Sequence, residues 1–338
     1  MMNEKSQEIL AEINTNTLLT LKSFLGQASK VILVGFPSYT NPGDTMIWLG
    51  TLEYLRILNI QIVYQCDIGR FDQVFVDKEF PSTPILIQGG GNFGDLWPDF
   101  QDFRETVLSQ NAGRLVIQLP QSIHFVSRKR SAESNEIISR HRNFILLVRD
   151  KESLSRANEL FPEVLSQFCP DMAFGLNFKT FKKSNQDNLV AILRQDREKL
   201  ISIESKLSKF EITDWHLNYL EKFYWACLRF LLILYKRLSF TRVLIGKKNL
   251  ERVYHHMALI NLNSALKIVK PAKIVVTDRL HAHVLAILCN IPNVVCDNSY
   301  GKISSMFNDY SGSIANSRLC LDIDKLNVYI DELQNENH

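Results

Sequence analysis

Arg279 and His281 stand two positions apart in the stretch Lys273 to Asn298, KIVVTDRLHAHVLAILCNIPNVVCDN. KIVV reads as a short β-branched strand, Thr277 and Asp278 are helix N-cap types, and LHAHVLAIL is apolar at helical spacing. Asn290 to Pro292 ends the helix before a second strand, NVVC. Arg279 and His281 are therefore expected on the first turn of a helix at the carboxyl end of a strand, where open parallel sheets bind ligands. Backbone N–H groups and the positive helix end attract phosphate or carboxylate there, and Arg279 adds a permanently charged, bidentate clamp. His281 can move a proton beside that clamp. His283 lies nearly opposite His281 on a helix, so HAH is not a chelating pair.

Two further cations are expected at strand ends. Arg149 closes the strand FILLV, and Lys302 follows NVVC behind a Ser-Tyr-Gly turn, in DNSYGK, whose small residues suit an anion-binding backbone nest. Any one of the three is dismissible; together Arg149, Arg279 and Lys302 specify a pocket for a compact polyanion. GGGNFGD (Gly89 to Asp95) follows a strand, PILIQ, as a ligand-cradling loop should. It lacks dinucleotide spacing, and no Walker lysine is present. Asn92 and Asp95 suit sugar hydroxyls or capping. Asp44, in PSYTNPGD, caps a helix or meets a ligand, and His124, in LPQSIHF, could face a sugar or be an incidental loop residue.

These residues need elements to hold them. VILVGF, QIVYQC, PILIQ, RLVIQLP and FILLVRD are strands that alternate with helices, which implies a parallel, doubly wound sheet. At 338 residues the chain exceeds one comfortable core, and the polar segment NFKTFKKSNQDN separates a second α/β half that begins at NLVAILRQD. The expected domains are 1–182 and 183–322, each Rossmann-like, facing across a cleft in a GT-B-like arrangement. Residues 323–338 form an amphipathic helix expected to fold back over the first domain.

Hydrophobic residues make up 46% and charged residues 22%, which describes a soluble globular chain, and the net charge of +3 is too small to announce nucleic acid. The scattered cysteines fit packed, reduced thiols, and none has zinc spacing. The first residues lack signal-peptide character, so a cytoplasmic location is expected. FYWACLRFLLILY (Phe223 to Tyr235) is too short to span a bilayer, and Lys222, Arg229 and Lys236 form a basic stripe on it. It could lie in a membrane interface, or pack between domains or at a dimer contact.

GFPSYTNPGDTMIWLG, LIQGGGNFGDLWP, LLVRDKESL, CPDMAF and TDRLHAHVLAILCNIPNVVCDNSYGK, in this order and spacing from Val31 to Lys302, resemble the polysaccharide pyruvyl transferase family. The resemblance implies phosphoenolpyruvate as donor and co-substrate, a hydroxyl pair of a saccharide as acceptor, lipid-linked or not, and a pyruvate ketal as product. It implies no further cofactor and no metal. Under it His281 is the general acid, Arg149, Arg279 and Lys302 bind the donor, and Asp44 orients or deprotonates an acceptor hydroxyl. Asn41, Asn92, Asp95, His124, Asn298 and Tyr300 are acceptor-side or loop candidates. The alternatives are a GT-B-type glycosyltransferase using a nucleotide sugar and a non-catalytic saccharide-binding protein.

Overall fold

The computed structural model describes residues 3–178, 188–195, 203–237, 239–297 and 302–336, without the side chains of 239–245, 247, 248 and 302. The first sheet is built from β1 (Lys30–Val34), β2 (Gln61–Cys66), β3 (Ile85–Ile87), β4 (Gly90–Gly94), β5 (Val116–His124), β6 (Phe144–Val148) and β7 (Leu165–Phe168). The second comprises β8 (Asn188–Ile192), β9 (Glu211–Thr213), β10 (Ala272–Thr277), β11 (Asn293–Cys296) and β12 (Ser317–Cys320). Every pairing among the described strands is parallel. The chain thus forms two Rossmann-like α/β halves, as the alternation of strands and helices predicts.

The strand orders decide where ligands can bind. The first sheet runs β2-β1-β3-β5-β6-β7, with β4 paired to β5, and the second runs β12-β11-β10-β8-β9. The order reverses between β1 and β3 in the first and between β8 and β10 in the second. At such switch points the loops leave in opposite directions and open a crevice at the strand carboxyl ends.

In the first half the helices are α1 (Glu4–Leu25), α2 (Pro42–Ile57), α3 (Gln73–Glu79), α4 (Pro98–Gln110), α5 (Arg128–Ile138) and α6 (Lys151–Leu160). The second half holds α7 (Tyr219–Arg237), α8 (Ser239–Val269), α9 (Leu280–Leu288), α10 (Lys302–Asp309) and α11 (Leu326–Asn335). The halves share one apolar core, in which Phe36 and Trp48 of the first pack with Tyr254, Met257 and Ala258 of α8. The Phe36 and Tyr254 rings lie 4.5 Å apart. Tyr254 also donates to Asp67 at 3.4 Å across the same boundary.

Some expectations change. The terminal helix α11 does not return to the first domain: Leu326, Ile330 and Leu333 pack with Ile274, Val276 and Val294 on the second sheet. Its apolar face fits the sheet surface nearest in sequence. The first helix makes the cross-connection instead, since the Ala315 amide donates to Ser6 Oγ at 3.2 Å. Part of the glycine-rich stretch, read as a loop, is the strand β4. The long helix α8 kinks at Gly246 (φ 62°). Most of the expected linker falls outside the described residues.

Candidate functional site

Both switch points open on one cleft of about 340 Å³, large enough for a small substrate. Tyr39, Asn41, Gly43 and Asp44 enter from the turn after β1, Gly91 and Asn92 from β4, and Arg149 from the end of β6. The facing wall carries Arg194 after β8, Trp215 after β9, and Arg279 with His281 after β10.

The turn after β1 is ordered by its own polar side chains. Asn41 caps α2, its side chain accepting from the Gly43 amide at 2.9 Å. Asp44 is not the cap. Its Oδ2 accepts from Tyr39 Oη at 2.7 Å and Asn41 Nδ2 at 2.8 Å, which fixes the carboxylate at the cleft wall. Burial and then the Asp44 charge push the Tyr39 phenol up, so it remains a donor.

Arg149 and His281 meet at a carboxylate that sequence reasoning did not single out. Asp171 Oδ2 accepts from Arg149 Nη1 at 2.7 Å and lies 3.5 Å from His281 Nε2. Asp171 is fully buried. Burial would raise its carboxyl, but His281 and then Arg149 outweigh burial and hold it well below the usual carboxylate range. Burial likewise opposes the Arg149 charge, and Asp171 more than restores it. Arg149 Nε donates to Ser122 Oγ at 2.9 Å, so the guanidinium is held in one plane. Asp150 serves structure, capping α6 through the Ser153 amide at 2.7 Å.

The turn bearing Asp171 is seated by a close backbone approach. A Cβ at Gly50 of α2 would stand 1.9 Å from the Met172 carbonyl oxygen, so only glycine lets α2 reach it. Gly43 does the same for the histidine, because a Cβ there would lie 2.6 Å from His281 Nδ1. His281 therefore sits with Nδ1 against the cleft-lining Gly43 and Nε2 turned toward Asp171. Its Nε2 is enclosed at more than hydrogen-bonding distance from that carboxylate.

Arg279 is the N-cap of α9 rather than a first-turn residue, and α9 begins at the cleft wall with its positive end. Arg279 Nε and Nη2 donate to the two oxygens of Asp214 at 2.5 and 2.7 Å. That fork-to-fork pair fixes the guanidinium plane. Thr277 Oγ1 accepts from the Arg279 amide at 3.0 Å, and Asp278 Oδ1 accepts from the Arg194 amide at 2.8 Å, tying β8 to β10. Burial raises the Asp278 carboxyl.

Other expected residues fall elsewhere. Asn92 lines the cleft, its oxygen held by Arg104 Nη2 and Gln121 Nε2, both at 3.0 Å. Burial lowers the Arg104 guanidinium to about 9, and its carbon stands 4.2 Å from the Phe93 ring centre. Asp95 is not in the cleft wall: it accepts from the Val126 and Ser127 amides at 2.8 and 2.6 Å and fastens the loop before α5. His124 lies outside it too, 3.3 Å from Arg156 Nη1. His283 is a core residue bonded to Asn293 at 2.7 Å and Ser311 at 2.9 Å, with burial lowering it to about 4. Asn298 and Tyr300, and the Lys302 side chain, lie outside the described residues. Among the described residues no group of three or more His, Cys, Asp or Glu side chains could hold a metal ion.

Arg194, Asp171, Asp214, Tyr39 and Trp215 were not anticipated. Arg194 carried a usable signal, since it follows a strand just as Arg149 and Arg279 do.

Three guanidinium groups at the strand carboxyl ends of two sheets, and an imidazole lining the same cleft, can bind a compact anion and transfer a proton. The chain is 29% identical over 303 residues to EpsO of Bacillus subtilis, covering 88% of this chain and 91% of that protein. It is 26% identical over 333 residues to Pyruvyl transferase 1 of Schizosaccharomyces pombe, covering 91% of this chain and 76% of that protein. An uncharacterised Klebsiella pneumoniae protein of solved structure shares the fold, with a TM-score of 0.58 at 18% identity over 92% of this chain and 99% of that one. Residues 41–300 match the polysaccharide pyruvyl transferase family, and the chain belongs to that family.

Proposed function

We propose that this transferase takes its pyruvyl group from phosphoenolpyruvate and joins it to two hydroxyls of a saccharide as a ketal, releasing phosphate, in exopolysaccharide or cell-surface polysaccharide biosynthesis. The observation that carries this reading is the convergence of Arg149, Arg194 and Arg279 on the cleft that also holds His281. Phosphoenolpyruvate carries a carboxylate and a phosphate on one carbon, and planar guanidinium groups held by Asp171 and Asp214 meet both without reorganising.

His281 delivers a proton from Nδ1 to the enol methylene carbon, which becomes the ketal methyl group. The central carbon gains oxocarbenium character, and the first acceptor hydroxyl adds to it. That hydroxyl's proton replaces the one His281 gave up. The second hydroxyl then forms the second C–O bond as the C–O bond to phosphate breaks, and its proton leaves with phosphate. Asp171 faces Nε2, which leaves Nδ1 for the cleft, while Asp44 orients an acceptor hydroxyl. The rings of Tyr39, Trp97 and Trp215 give the acceptor an amphipathic rim.

The test is to supply phosphoenolpyruvate with saccharide acceptors and follow phosphate release together with the methyl signal of the product by proton NMR. Acceptor-dependent release with a new ketal methyl singlet supports the reading. Turnover of a nucleotide sugar, with phosphoenolpyruvate untouched, would replace it by glycosyl transfer.

A further inference from the structure

The helix α7 carries an apolar face that the other described residues leave exposed. Its inner side is fixed: Trp225 and Leu232, seven residues apart, are buried in the shared core. Arg70 Nε donates to the Leu232 carbonyl at 3.0 Å, and Lys267 Nζ donates to Glu221 at 2.6 Å, so the helix is pinned near both ends. The outer side presents Leu220, Phe223, Tyr224, Phe230, Leu231 and Ile233, with both phenylalanines more than half exposed, at 60% and 58%. Large apolar side chains rarely stand together in water without a partner.

The charges around that face say what the partner is. Lys222, Arg229 and Lys236 recur every seven residues along one flank, Arg237 follows, and the helix's one acid, Glu221, is engaged by Lys267. We infer that α7 is an in-plane docking helix for a lipid surface rich in anionic headgroups, with the phenylalanines and leucines in the acyl boundary and the basic flank on the phosphates. A second copy fits less well. An antiparallel two-fold pairing through this face would set the basic flank against itself.

Contact is from one side, because no helix among the described residues is long and apolar enough to cross a membrane. The docking helix lies one cavity away from the cleft. Trp215 lines the cleft and also a neighbouring cavity walled by Lys222 and Trp225 at the start of α7. A docked molecule would hold the cleft beside the membrane surface.

Flotation with vesicles tests this without any substrate, so its outcome is separate from that of the proposed reaction. The full chain is mixed with phosphatidylcholine vesicles or with phosphatidylglycerol-rich ones, beside Arg229→Gln and the double variant Phe223→Glu/Phe230→Glu. Circular dichroism and sedimentation velocity monitor fold and assembly. The full chain is expected to float with the anionic vesicles, less so as salt rises. Arg229→Gln should weaken partition about fivefold (~1 kcal/mol), and the folded double variant should stay behind. Failure of the full chain to float, or equal flotation of the double variant, overturns the inference. A dimer that the double variant abolishes, with no vesicle binding, assigns the face to a second copy instead.

Discussion

His281 Nε2 and Arg149 Nη1 converge on a single oxygen, Asp171 Oδ2, at 3.5 and 2.7 Å. The residue that can move a proton and one that can hold the donor's charge are thereby fixed to each other across the boundary between the two halves. Removing the Asp171 charge should disturb both. Asp171→Asn leaves Arg149 buried without its counter-charge, a loss expected to cost about 3–5 kcal/mol in urea unfolding, and kcat should fall by at least ~100-fold.

The same carboxylate sets an acid limit on stability. Its folded pKa is depressed, so its stabilisation is complete above the unfolded carboxyl value of about 4 and is lost as pH falls below it. Unfolding free energy measured from pH 7 downward should decline below that point. The decline should be shallower in Asp171→Asn, which has no proton to bind there.

The two histidines of HAH should separate chemistry from folding. His281→Ala is expected to lower kcat by about 100- to 10,000-fold with little change in melting temperature, as for loss of a general acid. His283→Ala strands Asn293 and Ser311 and should cost about 1–3 kcal/mol of stability. Paired rate and melting measurements distinguish them.

Gly43→Ala places a methyl carbon 2.6 Å from His281 Nδ1, inside van der Waals contact. The imidazole must move by a fraction of an ångström to an ångström, which is expected to cost about 100-fold in kcat while KM for phosphoenolpyruvate changes little. Steady-state kinetics on the folded variant checks it.

Asp214 should act through Arg279. Asp214→Asn keeps the shape of the side chain but loses the charge-assisted fork, so KM for phosphoenolpyruvate should rise about tenfold with a smaller change in kcat. Arg279→Lys should mimic it, because an ammonium cannot reproduce the planar pair.

The cleft was legible wherever local pattern and topology coincide. Arg149 and Arg279 follow strongly apolar strands, and the carboxyl ends of parallel strands are where ligands sit. Arg194 obeys the same rule after NLVAIL, in a stretch whose clearer signal is the start of a new half. Asp171 stood in a quoted block, CPDMAF, without a role, because its partners lie 22 residues back and 110 ahead. Asp214 meets Arg279 across 65 residues of sequence, and no spacing rule reaches that far. Asp95 and His124 misled for the opposite reason. Asp95 sits in a family-like block and His124 at a strand end, but Asp95 found nearby amides to cap and His124 lies by Arg156. The terminal helix showed an apolar face but no information on which sheet would cover it.

Thermal unfolding with phosphoenolpyruvate, in wild type and Arg279→Ala, tests the donor site before any acceptor is known. At about 100 times its dissociation constant the ligand should add roughly 2.7 kcal/mol to stability, and the resulting rise in melting temperature should vanish in the variant. A rise of equal size in Arg279→Ala, or none in wild type where a nucleotide sugar produces one, would contradict a phosphoenolpyruvate site in this cleft.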